Sequence, residues 1–118
     1  AAATGNIVEG QYFEFKINLA YDARVTMKVA YVQTVQRKSV EQNIPDTYLY
    51  TIDDGVSFSV SEGKTKLAAR DDVTKWEVFD YDAVTLAAGE HTVRVKVAAN
   101  TGKGNPNIDY LEFNFLEA

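Results

Sequence analysis

Apolar and polar residues alternate strictly through the stretch QYFEFKINL (11–19), with Phe13, Phe15, Ile17 and Leu19 on one side and Tyr12, Glu14, Lys16 and Asn18 on the other. A period of two is the pleat of a β-strand, and it cannot lay an apolar stripe along a helix. The same pattern recurs along the chain. In RVTMKVAYV (24–32), Val25, Met27, Val29 and Tyr31 share a face, and in HTVRVKVA (91–98), Val93, Val95 and Val97 oppose Arg94 and Lys96. TYLYTI (47–52) and VSFSV (56–60) flank Asp53-Asp54-Gly55, and Asp-Gly between alternating runs marks a hairpin. KWEVFDY (75–81) and AVTL (83–86) read as two further strands, followed by a turn at Ala88-Gly89-Glu90. After the loop NTGKGNPN (100–107) a last strand closes the chain. No stretch combines a sustained helical period with capping residues, so no long helix is expected. About eight short strands with turn signals between them predict an all-β fold, an antiparallel β-sandwich of jelly-roll or immunoglobulin-like topology.

The length of 118 residues sets the scale of a single domain that can bury a core without covalent help. The opening AAATG (1–5) is read as a processing remnant, outside the sandwich. There is no cysteine, which removes disulfides and thiolate metal sites. The net charge is −5, and the cations are scattered rather than clustered. That argues against nucleic acid or an anionic membrane as partner. No apolar run approaches the roughly 20 residues of a membrane-spanning helix, and no signal peptide is seen.

Catalytic patterns are tested and mostly fail. The single histidine, His91, starts a strand with no nucleophile elbow or metalloprotease motif around it, and reads as a surface residue. The acid pairs Asp53-Asp54, Asp71-Asp72 and Asp80 with Asp82 sit where Asp serves as a turn former. The chain is not expected to be an enzyme. Two longer connections, QRKSVEQNIPDT (36–47) and 100–107, are candidates for binding loops, since loops at the ends of a sandwich carry most recognition.

One residue breaks the pattern. In NIDYLEFNF the alternation that puts Leu111, Phe113 and Phe115 inward also puts Asp109 inward. A buried carboxylate needs a partner: either a hard cation, or backbone amides or a Lys or Arg.

Taken in order, GQYFEFKINLAYDARVTMKVAYV, TKWEVFDYDAVTLAAGEHTVRVKVA and GNPNIDYLEF resemble the carbohydrate-binding modules of the family 6 and family 35 group, over roughly residues 5–116. These β-sandwich modules, galactose-binding-domain-like in fold, are appended to polysaccharide-degrading enzymes. The resemblance implies a non-catalytic module of a secreted bacterial glycan-active enzyme, with a poly- or oligosaccharide as partner. Position by position, Asn107 matches the family's ligand-binding Asn before the last strand, and Trp76 or Phe79 matches its aromatic. An aromatic plane covers the C–H face of a sugar ring, while an amide both donates to and accepts from hydroxyls. Trp76 also shares parity with Val78, so a core position is open to it. Asp109 matches an acid that contributes to a structural calcium in relatives.

Two departures stand out. The Glu-Ala-Glu strand that helps bind that calcium is not found, and Asn6 stands near the place of the family's second aromatic, a role that Tyr48 could take. The alternative to sugar binding is a structural or protein-interaction sandwich.

Overall fold

The computed structural model describes residues 12–34, 39–70, 75–98 and 105–118. Among these residues nine strands follow one another: β1 (Tyr12–Leu19), β2 (Ala23–Val32), β3 (Gln42–Asn43), β4 (Tyr48–Ile52), β5 (Val56–Phe58), β6 (Lys66–Leu67), β7 (Trp76–Leu86), β8 (Gly89–Val97) and β9 (Asn107–Glu117). Among the described residues the only helical piece is a 3₁₀ turn at Ile44–Asp46. One sheet has the order β1-β8-β4-β5 and the other β7-β2-β9; β3 and β6 form a small ribbon. Every strand pairing is antiparallel. This is the expected sandwich.

The core follows from the alternation. Val25, Met27, Val29 and Tyr31 of β2 are buried, as are Val93, Val95 and Val97 of β8, and Tyr48, Tyr50 and Ile52 of β4. A hydroxyl cluster ties the two sheets. Tyr31 of β2 shares hydrogen bonds with Tyr50 of the opposite sheet and with Tyr81 of β7. Burial first, and the neighbouring phenols after it, push the Tyr31 hydroxyl well above its ordinary pKa. The cluster is therefore neutral, with the Tyr31 hydroxyl at its centre bonded to both partners.

Three local expectations change. The runs 75–81 and 83–86 form one strand, because β7 continues through a bulge: Met27 pairs with Tyr81 and Val25 with Val84, so two residues oppose Thr26. The hairpin keeps its place, but Asp53 and Asp54 hold its left-handed positions, at φ 53° and 59°. Asp tolerates this conformation, and Asp53 is held there: its carboxylate accepts from the Thr92 N–H at 2.9 Å and bonds His91 at 2.6 Å. The described part of the long connection, 39–47, is not a solvated loop: it buries Gln42 and Ile44, and the Gln33 amide donates to Val40 O and Ala68 O while accepting from Gln42.

A further change answers the puzzle of Asp109. Tyr31 pairs with Ile108 and Ala30 with Tyr110, so Asp109 is the extra residue of a β-bulge. Ile108 takes the inward position, fully buried, and Asp109 is only half-buried. The carboxylate is not driven into the core, because the alternation shifts phase just before it.

Candidate functional site

β2 is the middle strand of its sheet and runs antiparallel to both neighbours, so β7 and β9 start together at the end where β2 stops. Trp76 and Asn107, the first residues of those strands, both pair with Val32. They stand in one row across the sheet, about 10 Å apart between Cα atoms by strand spacing. Their face is set by parity. Tyr31 and Ile108 are buried inward, so Val32 and Asn107 point to the outer face. Phe79 and Tyr81 are buried too, so Trp76, an odd number of positions away, also points outward. Trp76 is 53% exposed.

The polar side of the row is under-satisfied. Among the described residues, Asn107 Oδ1 is buried without a hydrogen-bond partner, and so are Thr34 Oγ1 and Asn105 Oδ1, two residues beyond Val32 and before Asn107. A buried acceptor without a donor costs about 1–3 kcal/mol. Asn105 is nonetheless anchored, since its amide donates to Thr47 O at 2.9 Å. An exposed indole beside orphaned oxygens suits a ligand with apolar C–H faces and hydroxyl donors. Thr34 and Asn105 went unnoticed in the sequence, because only strand pairing reveals that they accompany Asn107.

Two candidates are corrected. Phe79 is completely buried opposite Val29 and packs edge-on to Tyr31, with ring centroids 5.7 Å apart. It lies three residues from Trp76, so in a strand the two rings face opposite ways, and only Trp76 faces out. Tyr48 is also buried, stacked on Tyr31 at 6.1 Å. Its hydroxyl donates to Pro106 O, next to Asn107. Tyr48 therefore pins the chain leading into β9 and does not present a sugar platform. Asn6, which stands near the place of the family's second aromatic, lies outside the described residues.

Among the described residues no group of three or more His, Asp or Glu side chains converges. His91 is built in as a brace. Nδ1 bonds Asp53 and Nε2 bonds Ala87 O at 2.7 Å. The Ala87 carbonyl, and then Asp53, raise the His91 pKa. The Thr92 amide, and then His91, lower that of Asp53. With both ring nitrogens engaged, His91 closes the hairpin against β8 and has no free nitrogen to act as a base.

No family model and no curated relative matches the sequence. Solved structures match by fold. A family 35 carbohydrate-binding module from Cellvibrio japonicus superposes with a TM-score of 0.64 at 21% identity, covering 91% of this chain and 67% of its own. A second family 35 module, determined in complex with a glucuronic-acid-containing disaccharide, gives 0.63 at 20%, covering 94% and 77%. A third, from Clostridium thermocellum, gives 0.60 at 17%, covering 100% and 90%. At these identities the likeness is one of fold, and the chain is an antiparallel β-sandwich of the type seen in family 35 carbohydrate-binding modules.

Proposed function

We propose that the domain binds carbohydrate without transforming it, through Trp76 and Asn107, and that it holds an appended, secreted glycan-active enzyme on its substrate. The observation that carries this reading is the row Trp76–Val32–Asn107 on the outer sheet face. It joins a half-exposed indole to an amide whose oxygen lacks a donor among the described residues. The sandwich fold shared with sugar-binding modules supports it. A weak, reversible contact suits the role, with dissociation constants of about 10 μM to 1 mM, or roughly 4 to 7 kcal/mol.

The test is a glycan array probed with the isolated domain and with Trp76→Ala and Asn107→Ala. Wild-type binding to a defined glycan that both variants lose is the expected result. Absence of any glycan binding by the wild type would leave a structural or protein-contact role for the sandwich.

A further inference from the structure

The bulge at Asp109 has a functional consequence. Asn107 and Tyr110 are three residues apart, and in an unbroken strand they would face opposite sides. Because Asp109 is an extra residue, Asn107 pairs with Val32 and Tyr110 with Ala30, two positions that share the outer face of β2. Val78 of β7 also pairs with Ala30. The row next to Trp76–Val32–Asn107 is therefore Val78–Ala30–Tyr110. Val32, Val78 and Tyr110 are half-buried and Ala30 has no exposed surface, and the two rows place an aromatic residue at each diagonal corner. Two strand spacings and one step of two residues put those corners about 12 Å apart. That is longer than a single sugar ring.

We propose that Tyr110 forms a second sugar-contacting subsite, which takes an uncharged residue of an oligosaccharide at least two units long. The proposal rests on the reading that Trp76 and Asn107 bind sugar. The row beyond Tyr110 argues for the absence of charge. Lys28 lies there between Asp80 and Glu112, and it is already paired with Asp80 at 3.6 Å. Two carboxylates against one ammonium, with Asp109 beside Tyr110, disfavour a uronate at this end. Recruiting side chains to one face by a bulge is a recurrent device near binding sites.

The probes are neutral gluco-, xylo-, manno- and galacto-tetraoses, their monosaccharides and their uronate-capped forms, titrated calorimetrically into wild type, Tyr110→Ala, Tyr110→Thr and Tyr110→Phe. With the best-bound neutral tetrasaccharide, Tyr110→Ala should weaken binding about three- to tenfold, as expected for loss of one aromatic contact. The monosaccharide affinity should stay within about twofold, and Tyr110→Phe, which keeps the ring, should bind the tetrasaccharide like wild type. Tyr110→Thr keeps strand propensity and reports in place of the alanine variant if that one unfolds. Equal loss for monosaccharide and tetrasaccharide, no loss for either, or wild-type binding of uronate-capped chains alone overturns the proposal. Wild-type failure on every probe overturns the Trp76–Asn107 reading itself.

Discussion

Replacing Trp76 with alanine should cost little stability and all of the binding. Trp76 is 53% exposed, so just under half of a side-chain surface of roughly 250 Å² is hidden, or about 120 Å². Alanine keeps the part nearest the backbone, leaving a loss of about 80 Å². At about 25 cal/mol per Å² this is about 2 kcal/mol, an upper value because the unfolded chain already hides some of that surface. The expected cost is about 1–2 kcal/mol. A fully packed aromatic would cost about 3–5 kcal/mol, which is the expectation for Phe79→Ala, since Phe79 is completely buried. Urea unfolding of wild type, Trp76→Ala and Phe79→Ala, with the midpoint and slope both fitted, separates the two cases. Calorimetric titration of the folded Trp76→Ala protein with an array-positive glycan supplies the binding half. A stability loss above about 3 kcal/mol, or binding at wild-type affinity, would refute the reasoning that Trp76 is an outward platform.

Other outcomes follow from the braces and the core. Tyr31→Phe removes the hydroxyl that meets both Tyr50 and Tyr81 and should cost about 1–3 kcal/mol, read by the same urea series. Burial raises the Tyr81 pKa to about 12. The stability it contributes is complete below the ordinary value of 10.0 and is lost as pH rises from there through about 12, so the melting temperature should fall across that window, and less steeply in Tyr81→Phe. His91 has a raised pKa, so its contribution is complete below 6.5 and fades as pH rises through the folded value. Asp53 has a lowered pKa, so its contribution is present above 3.8 and fades as pH falls through the folded value. Melting curves from pH 3 to 9 should therefore show His91→Gln flattening the alkaline slope and Asp53→Asn the acid one. EDTA should leave the melting temperature unchanged if protein groups alone hold Asp109, whereas a drop restored by calcium would place an ion there, since a ligand of the native state stabilises by mass action.

The alternation made the inward residues of β1, β2 and β8 legible, because a two-residue period needs no knowledge of the neighbouring strand. It failed where a neighbour decides the phase. Asp109 looked inward only because the count ran backwards from Leu111 across a bulge, and a bulge is a property of the pairing with Tyr31 and Ala30. The break between Tyr81 and Ala83 suggested two strands for the same reason, although β7 pairs with β2 on both sides of it. Trp76 and Phe79 take opposite faces because Val32 and Val29, their partners on β2, do. Asn107 was picked out by family likeness, while its row with Trp76 depends on sheet order, which no local pattern encodes. Tyr48 was misread because its partner, Pro106 O, lies 58 residues away in sequence.

Trp76 is the sole tryptophan, so the indole at the centre of the account reports on itself. Its intrinsic fluorescence, titrated with an array-positive oligosaccharide and quenched with iodide at each point, tests the account most directly. A wet, quenchable indole that becomes saturably shielded, with the same dissociation constant that calorimetry gives, is the predicted result. Calorimetric binding with no change in Trp76 emission or quenching would contradict it.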